Sequence, residues 1–197
     1  RARRRHRCAG DRDPAAADSA MTDKDAIAIP AAAQRVIAAC QAKGLRLAVG
    51  ESCTGGMIAA AITAQRGSSA VFDGGIIAYA NEAKEGLLAV PKETMIEHGS
   101  VSAEVAAVMA GAVRERLGAD IGLGVTGVAG PGGGTPDKPV GRVYLHLSGP
   151  NGIEQAREFD FSGDREAVRT QTVAEALGLV LDALDAAPPP AVPPAAP

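Results

Sequence analysis

The chain has 197 residues, of which 46% are hydrophobic, 22% are charged and only 3% are aromatic, with no Trp. This length and composition are typical of one globular domain of roughly 150 residues with tails, and the scarcity of aromatic side chains disfavours a base-stacking nucleic-acid binder. Residues 1–20 hold six Arg and three Asp within a total charge of −3, so the rest of the chain is acidic. We therefore do not expect the folded part of the chain to bind the phosphate backbone of a nucleic acid.

No apolar stretch approaches the ~20 residues that cross a bilayer, and no hydrophobic segment follows the Arg-rich opening. We therefore expect a cytoplasmic protein with no membrane partner. The three cysteines, Cys8, Cys40 and Cys53, form no C-x-x-C pair, and the three histidines are scattered. This pattern favours a reducing compartment and predicts no metal site.

The two ends of the chain differ in composition from the middle. We expect residues 1–24 to be a disordered or misassigned extension, because runs of like charge are usually solvated and Met21 resembles a natural start. Residues 187–197 consist almost entirely of Pro and Ala and are predicted to be a disordered tail. Residues 25–186 form the predicted domain.

Apolar residues at helical spacing predict a first helix from Asp25 to Lys43. The buried strand LRLAVG then leads into the turn GESCTGG (residues 50–56) and a helix over TGGMIAAAITAQRG that ends at Gly67. A second strand, AVFDGGIIAYA, precedes a helix with Asn81 at its N-cap.

The second half continues with a short helix, KETMIEHG, and a long helix capped by Ser102 and ended by Gly118. Three strand-like runs follow, and GPNG joins the last two, GRVYLHLSG and GIEQAREFDF, into a predicted antiparallel hairpin. DREAVRTQTVAEALGLVLDAL is the final helix. The alternation predicts an α/β fold: a three-layer α/β/α sandwich with a mixed, mostly parallel sheet of about five to six strands.

Two glycine patterns resemble nucleotide-binding motifs but lack the required context. GLGVTG (residues 122–127) spells G-x-G-x-x-G, yet its glycines fall inside a predicted strand and no helix follows. Gly50 and Gly55 have the spacing of a P-loop, but Gly56 stands where that motif needs Lys. Neither motif is predicted to bind a nucleotide.

The turn GESCTGG places Ser52 at the carboxyl end of a strand, where sites form in α/β sheets. Unpaired N–H groups near Thr54, Gly55 and Gly56 suit an oxyanion, so these residues are candidates for binding the substrate. The alternative is that Ser52 or Thr54 merely caps the helix. Cys53 is either a competing nucleophile or a small buried residue, and the second interpretation is favoured.

A serine nucleophile needs a general base, and a lysine is the available candidate. Lys84 lies in the first turn of a predicted helix, where the positive end of the macrodipole disfavours its charge. A base must be neutral, whereas a free lysine has a pKa of ~10.4, so burial would have to lower the pKa by several units. Tyr79 is a candidate proton relay. The alternative is that Lys84 is an ordinary exposed helix lysine.

The blocks ESCTGG, YANEAK, HGSVSAEVA, VTGVAGPGGGTPDKPVGRVY and FSGDREAVRTQTVAEAL resemble, in order and spacing, the CinA C-terminal domain family and its PncC-type nicotinamide-nucleotide amidohydrolases. The resemblance, over residues 30–185, implies hydrolysis of nicotinamide mononucleotide to nicotinate mononucleotide and ammonia in pyridine-nucleotide salvage, without a cofactor. It implies that Ser52 is the nucleophile and that Tyr79 and Lys84 assist. Ala80 departs from the pattern, since many relatives carry a second serine there.

The block VTGVAGPGGGTPDKPVG is too rich in glycine for a packed element. It is either a structural loop or, as we favour, a backbone cradle for a ribose-phosphate, with Thr126 and Gly127 as its wall residues. A phosphate also calls for Arg, and Arg165 and Arg169 lie one turn apart at the start of the final helix. Arg165 is therefore a candidate for substrate binding.

Rival functions stay open on the sequence. A non-catalytic nucleotide-binding or competence-associated module would bind the ligand without releasing ammonia, and an amidase for another small amide would prefer a different substrate. Longer relatives carry a molybdopterin-binding-like domain, whose activity we expect to be absent here. The composition is compatible with a homodimer or a higher homo-oligomer.

Overall fold

The computed structural model describes the backbone of residues 23–186 and the side chains of residues 28–186. The predicted N-terminal extension, apart from its last two residues, and the predicted Pro/Ala tail lie outside these ranges. Within them the chain forms one five-stranded mixed sheet with helices on both faces. This confirms the predicted three-layer α/β/α fold class.

The predicted helices and strands are all present. Their bounds in chain order are α1 Asp23–Lys43, β1 Leu47–Glu51, α2 Met57–Thr63, β2 Phe72–Ile77, α3 Asn81–Leu88, α4 Lys92–His98, α5 Ala103–Leu117, β3 Ile121–Gly127, β4 Arg142–Ser148, β5 Glu154–Asp160 and α6 Arg165–Ala186. None of the helices in the described part of the chain has the length and apolar character that crossing a bilayer requires.

The strand order in the sheet is β2-β1-β3-β4-β5. β1 pairs in parallel with both β2 and β3, whereas β3–β4 and β4–β5 are antiparallel, which confirms the predicted hairpin. The carboxyl ends of the three parallel strands therefore meet at one edge of the sheet. Glu51, Ile77 and Gly127 are the last residues of these strands.

The core is aliphatic, as the composition predicts. Helices α1, α2 and α6 pack on one face of the sheet and α3, α4 and α5 on the other. The first two glycines of GLGVTG, Gly122 and Gly124, lie inside β3 against α5, and a Cβ on Gly124 would lie 2.1 Å from the carbonyl oxygen of Ala106. They allow close helix–strand packing, which explains the false dinucleotide motif.

Two predicted helix starts are wrong. Helix α2 does not include the two glycines before it, because Gly56 is its N-cap with a φ of 97°, in the left-handed region. It also ends at Thr63, before the predicted end at Gly67. Helix α3 begins at Asn81 with Ala80 as its N-cap, so the asparagine is not the cap.

The start and end predicted for α5 are confirmed. The Ser102 hydroxyl accepts a hydrogen bond from the Val105 N–H, and Gly118 ends the helix in the left-handed conformation. The short connection before this helix borders the edge at which the parallel strands end.

Candidate active site

A cavity of about 250 Å³ opens at the edge of the sheet where β1, β2 and β3 end. Its lining includes all three predicted catalytic residues, Ser52, Tyr79 and Lys84. The other lining residues include Cys53, Asn81, Ser100, Val101, Gly127, the glycine-rich loop and Arg165. We call this cavity the catalytic pocket. Parallel pairing of β1 with β2 and β3 brings these distant segments together.

Ser52 is the first residue after β1 and is 6% exposed. Its backbone N–H donates to the Val125 carbonyl oxygen at 3.0 Å, which fixes the start of the turn against β3. The N-cap residue of α2 is Gly56, no described hydrogen bond joins the Ser52 hydroxyl to the helix, and the hydroxyl of Thr54 is buried without a partner. The alternative that Ser52 or Thr54 caps this helix is therefore wrong.

The carboxylate of Glu51 caps α2 instead, a role that the sequence analysis missed. This side chain is 1% exposed and accepts hydrogen bonds from the N–H groups of Gly56 (2.9 Å), Ile58 (3.2 Å) and Ala59 (2.9 Å). Its negative charge lies at the positive end of the helix dipole. The available signal was an acidic residue shortly before a helix start.

Replacing Glu51 by glutamine should destabilise the fold by about 2–3 kcal/mol, because an amide NH₂ cannot accept the bonds that one carboxylate oxygen now accepts. Chemical denaturation measures this change. Glu115→Gln, at an exposed position of α5, is the matched control and should change stability by less than about 0.5 kcal/mol. Equal stabilities of the two variants would show that Glu51 does not anchor the turn.

The N–H groups of the turn are used differently from the prediction. The N–H of Gly55 donates to the Ser52 carbonyl oxygen at 3.1 Å and that of Gly56 to the capping carboxylate, so neither is free for an oxyanion. Those of Cys53 and Thr54 have no backbone partner among the described residues and lie near the Cys53 sulfur. Of the predicted donors, the N–H of Thr54 therefore stays available, joined by that of Cys53, whereas those of Gly55 and Gly56 are already used.

Lys84 lies in the first turn of α3 and is only 3% exposed, so the alternative of an ordinary exposed lysine is wrong. Burial lowers the pKa of its amine, opposed by a weaker attraction from Cys53. The amine donates to the Tyr79 carbonyl oxygen at 3.2 Å. No hydrogen bond joins it to the Ser52 hydroxyl in the described structure; such bonds often form only when substrate binds.

Tyr79 stands at the rim of the catalytic pocket and is 56% exposed. Its hydroxyl oxygen accepts a hydrogen bond from Arg165 at 2.7 Å, and only its backbone carbonyl contacts Lys84. No described hydrogen bond places the Tyr79 hydroxyl between Ser52 and the lysine, so the relay stays a prediction. The phenol contacts Arg165 at the rim of the pocket and forms no described hydrogen bond with Ser52.

Cys53 is 5% exposed, and burial is the main cause that raises the pKa of its thiol to about 11. Only the thiolate is strongly nucleophilic, so this cysteine is protonated and unreactive near neutral pH. The structure thus supports the favoured interpretation of Cys53 as a small buried residue.

The two predicted wall residues at the end of β3 have different roles. Thr126 is fully buried and its hydroxyl donates to the Ser100 carbonyl oxygen at 2.9 Å, so it holds the α4–α5 connection and does not line the pocket. Gly127 does line it, but a Cβ there would lie 2.8 Å from the Arg142 carbonyl oxygen. The close packing of β3 against β4 is therefore sufficient to explain why this position is a glycine.

The glycine-rich loop between β3 and β4 contains no helix or strand and covers one side of the pocket. The Lys138 amine donates to the His98 carbonyl oxygen and so attaches the loop to the end of α4. Backbone of Gly130, Gly132 and Gly133 borders the cavity. This placement is compatible with the predicted cradle.

A second cavity, of about 690 Å³, adjoins the catalytic pocket and shares Ala129, Gly130 and Arg165 with it. Arg165 donates to the Gly130 carbonyl oxygen at 2.9 Å and separates the two spaces. Arg169, one turn later on α6, donates to the Thr54 carbonyl oxygen at 2.8 Å. The two arginines thus stand on one wall, as their spacing predicts.

Among the residues that the structure describes, no group of three or more His, Cys, Asp or Glu side chains is placed to hold a metal ion. His146 lies on β4 and its ring nitrogen is 2.6 Å from the Glu154 carboxylate across the hairpin.

The sequence-family model of the CinA C-terminal domain matches residues 30–184 of this chain. The chain belongs to the CinA C-terminal domain family. The match spans the sheet, all the segments that line the catalytic pocket and nearly all of α6.

Curated CinA-like relatives share about half of the aligned residues. A CinA-like protein of Anaeromyxobacter sp. (strain K) is 52% identical over 149 residues, which is 76% of this chain and 36% of the relative. One from Parasynechococcus marenigrum (strain WH8102) is 53% identical over 143 residues, 72% of this chain and 34% of the relative. The chain therefore spans about a third of the length of these relatives.

Solved structures of the CinA superfamily have the same fold. The competence/damage inducible protein CihA from Agrobacterium tumefaciens superposes with a TM-score of 0.77 at 42% identity, over 80% of this chain and 96% of that one. The competence damage-inducible protein A (ComA) from Klebsiella pneumoniae gives 0.77 at 35% identity, over 80% and 98%. These neighbours are as long as the domain itself.

The motif blocks of this CinA-family domain converge on the catalytic pocket. ESCTGG supplies Ser52, YANEAK supplies Tyr79 and Lys84, the glycine-rich block supplies one wall, and the start of α6 supplies Arg165. The arrangement places an alcohol, a buried amine and a cation around one small space. Such a set suits attack on a carbonyl group.

Proposed function

We propose that this protein is an amidohydrolase that converts nicotinamide mononucleotide into nicotinate mononucleotide and ammonia. The observation that carries the proposal is that Ser52, which has no capping role, and the buried Lys84 line one pocket. The substrate comes from the resemblance of the motif blocks to the PncC-type enzymes. The names of the relatives contain the terms CinA and competence/damage inducible, and they state no enzymatic activity.

In the first half of the proposed reaction, the Ser52 oxygen attacks the carboxamide carbon and its proton passes to the neutral Lys84 amine. The N–H groups of Cys53 and Thr54 stabilise the oxyanion, and one such donor is worth about 3–4 kcal/mol. When the tetrahedral intermediate collapses, the carbon–nitrogen bond breaks. The leaving nitrogen takes the proton from Lys84 and departs as ammonia, leaving an ester on the serine.

In the second half, Lys84 takes a proton from water, and the resulting hydroxide attacks the ester carbon. The serine oxygen leaves with the proton from the lysine, and the carboxylic acid product loses its own proton to solvent and departs as a carboxylate. The reaction consumes one water and uses only side chains, backbone N–H groups and water. A cytoplasmic location and a homo-oligomeric state stay predictions.

Ammonia release by the unaltered protein tests this function on nicotinamide mononucleotide, nicotinamide riboside and free nicotinamide. We expect the mononucleotide to have the highest kcat/KM, because a remote phosphate supplies binding energy that the smaller amides lack. Faster hydrolysis of free nicotinamide would identify an amidase of another specificity. Saturable binding of the mononucleotide without ammonia would identify a non-catalytic binding module, the function to which the competence-related names of relatives lend support.

A further inference from the structure

The second cavity, which we call the side cavity, takes no part in the reaction described above. Its apolar lining residues are Met57, Ala129, Pro131 and Val140. Its polar lining residues lie at the start of α6 and just before it, and are Asp164, Arg165, Glu166 and Arg169. A substrate amide in the catalytic pocket would have its remaining atoms directed along Arg165, which lines both spaces.

The arginines on this wall have no counter-ion. Among residues 28–186, no carboxylate lies within salt-bridge distance of Arg165 or Arg169, and both donate only to neutral oxygens. The Nε of Arg169 is buried and has no hydrogen-bond partner there. Three other described arginines pair with carboxylates (Arg46, Arg142 and Arg157), whereas four surface arginines do not, so it is the cavity wall that sets Arg165 and Arg169 apart. Guanidinium groups without a counter-ion on a cavity wall suit phosphate oxygens.

Two carboxylates also belong to this wall. Asp164 accepts a hydrogen bond from the Ala167 N–H at 2.9 Å and therefore faces the start of its own helix. Glu166 is exposed in the first turn. Neither pairs with an arginine of the wall, so the two cationic side chains stay available to an incoming anion.

Arg169 connects the side cavity to the nucleophile turn. It donates to the carbonyl oxygen of Thr54, two residues after Ser52, in the turn that supplies the oxyanion donors. The hydroxyl of Thr54 on the same turn is also buried without a partner. A buried polar group without a hydrogen-bond partner costs free energy. Ligand binding that gives the Arg169 Nε or the Thr54 hydroxyl a partner therefore stabilises this turn.

We propose that the side cavity binds the phosphate of the substrate and that Arg169 is the positioning residue that links its occupancy to the turn carrying Ser52. Phosphate oxygens accept hydrogen bonds from the guanidinium while one of its nitrogens keeps the bond to Thr54. The phosphate thereby raises kcat as well as lowering KM, because remote binding energy orders the reacting groups. The coupling to kcat rests on the amidohydrolase function proposed above.

Titration calorimetry with ribose 5-phosphate tests the phosphate site without an amide. We expect the protein to bind ribose 5-phosphate but not ribose, and Arg169→Gln to weaken that binding roughly 10- to 100-fold, the value of a hydrogen bond to a charged group. Arg116→Gln, an exposed arginine of α5, is the charge-matched control and should bind as the unaltered protein does. Equal binding by the Arg169→Gln and unaltered proteins would overturn the proposal.

A second pair of variants keeps the test valid if Arg169→Gln does not fold. Val140 lines the side cavity, is 37% exposed and forms no described hydrogen bond to the nucleophile turn. Val140→Glu should weaken binding of ribose 5-phosphate by at least about 10-fold more than Val140→Gln, which adds similar bulk without the repelling charge. Equal weakening by the two variants would place the phosphate elsewhere.

Kinetics of Arg169→Lys test the coupling to the reaction. We expect kcat for the mononucleotide to fall more than kcat for nicotinamide riboside. Only the mononucleotide has a phosphate whose binding Arg169 can communicate to the turn that carries Ser52. A purely structural arginine would lower both by the same factor, and that result would overturn the coupling. If the unaltered protein hydrolyses neither amide, the proposed function fails, and the titration still decides whether the phosphate site exists.

Discussion

Ammonia release from nicotinamide mononucleotide is expected to fall roughly 10⁴- to 10⁶-fold when Ser52 is replaced by alanine, the scale of losing a serine nucleophile. The fold should hardly change, because the hydroxyl of Ser52 has no hydrogen-bond partner among the described residues and the cap of α2 is Glu51. The free energy of unfolding should therefore shift by less than about 1 kcal/mol. A coupled ammonia assay and urea denaturation measure the two effects on the same preparation.

Cys53→Ala is the matched control, since it removes the neighbouring nucleophile-capable side chain of the same turn. Its thiol has a raised pKa and is buried, so we expect kcat to stay within about 10-fold of the unaltered value and stability to fall by the cost of a small cavity, about 1 kcal/mol. An inactive Cys53→Ala beside an active Ser52→Ala would reassign the nucleophile.

Lys84→Met should lower kcat roughly 10²- to 10⁴-fold, as expected for loss of a general base, while making the protein more stable at neutral pH. The side chain is 3% exposed, and its amine has one hydrogen bond, to a carbonyl oxygen. Holding a charge there is costly, which is why burial lowers the pKa of the amine. Methionine fills a similar space without that cost.

The pH dependence of stability distinguishes this explanation from ordinary repacking. In the unfolded chain Lys84 has a pKa near ~10.4, whereas in the folded protein the pKa is lower. Between the two values the unfolded state binds more protons, so the stability of the unaltered protein rises with pH through that window. The stability advantage of Lys84→Met should therefore shrink as the pH approaches ~10.4.

Urea denaturation over this pH range, with Lys92→Met as the control, measures the difference. Lys92 is exposed at the start of α4, so its substitution should show no such pH-dependent advantage. Parallel pH profiles for the two variants would mean that burial does not lower the pKa of Lys84, which contradicts its proposed role as the base.

The location of the site could be predicted from the sequence because it depends on local patterns and one rule of sheet topology. The run before Ser52 reads as a buried strand, and Tyr79 follows a second one, so parallel pairing places both at one edge. The position of Lys84 in the first turn of its helix follows from the spacing after the strand. Its burial does not, because the segments that line the catalytic pocket with it come together only in the folded chain.

The contacts that change the roles of individual residues could not be predicted. The bond between Arg165 and the hydroxyl of Tyr79 joins residues 86 positions apart and depends on how α6 crosses the sheet edge. The cap by Glu51 depends on a left-handed Gly56 that turns the chain back over the carboxylate. Both contacts arise from tertiary geometry. Arg165 binds the phenol of Tyr79, which local spacing made a candidate proton relay, and Glu51 caps α2 where local spacing favoured Ser52 or Thr54.

Covalent trapping of the acyl intermediate tests most directly whether Ser52 and Lys84 form a catalytic pair. Rapid acid quenching of Cys53→Ala protein during turnover of nicotinamide mononucleotide, followed by peptide mass spectrometry, locates the ester. We expect the nicotinate mononucleotide acyl group on Ser52, and no acyl group when Lys84 is also replaced by methionine. A burst of ammonia with no ester on Ser52, or an acyl group on another residue, would contradict the proposed mechanism.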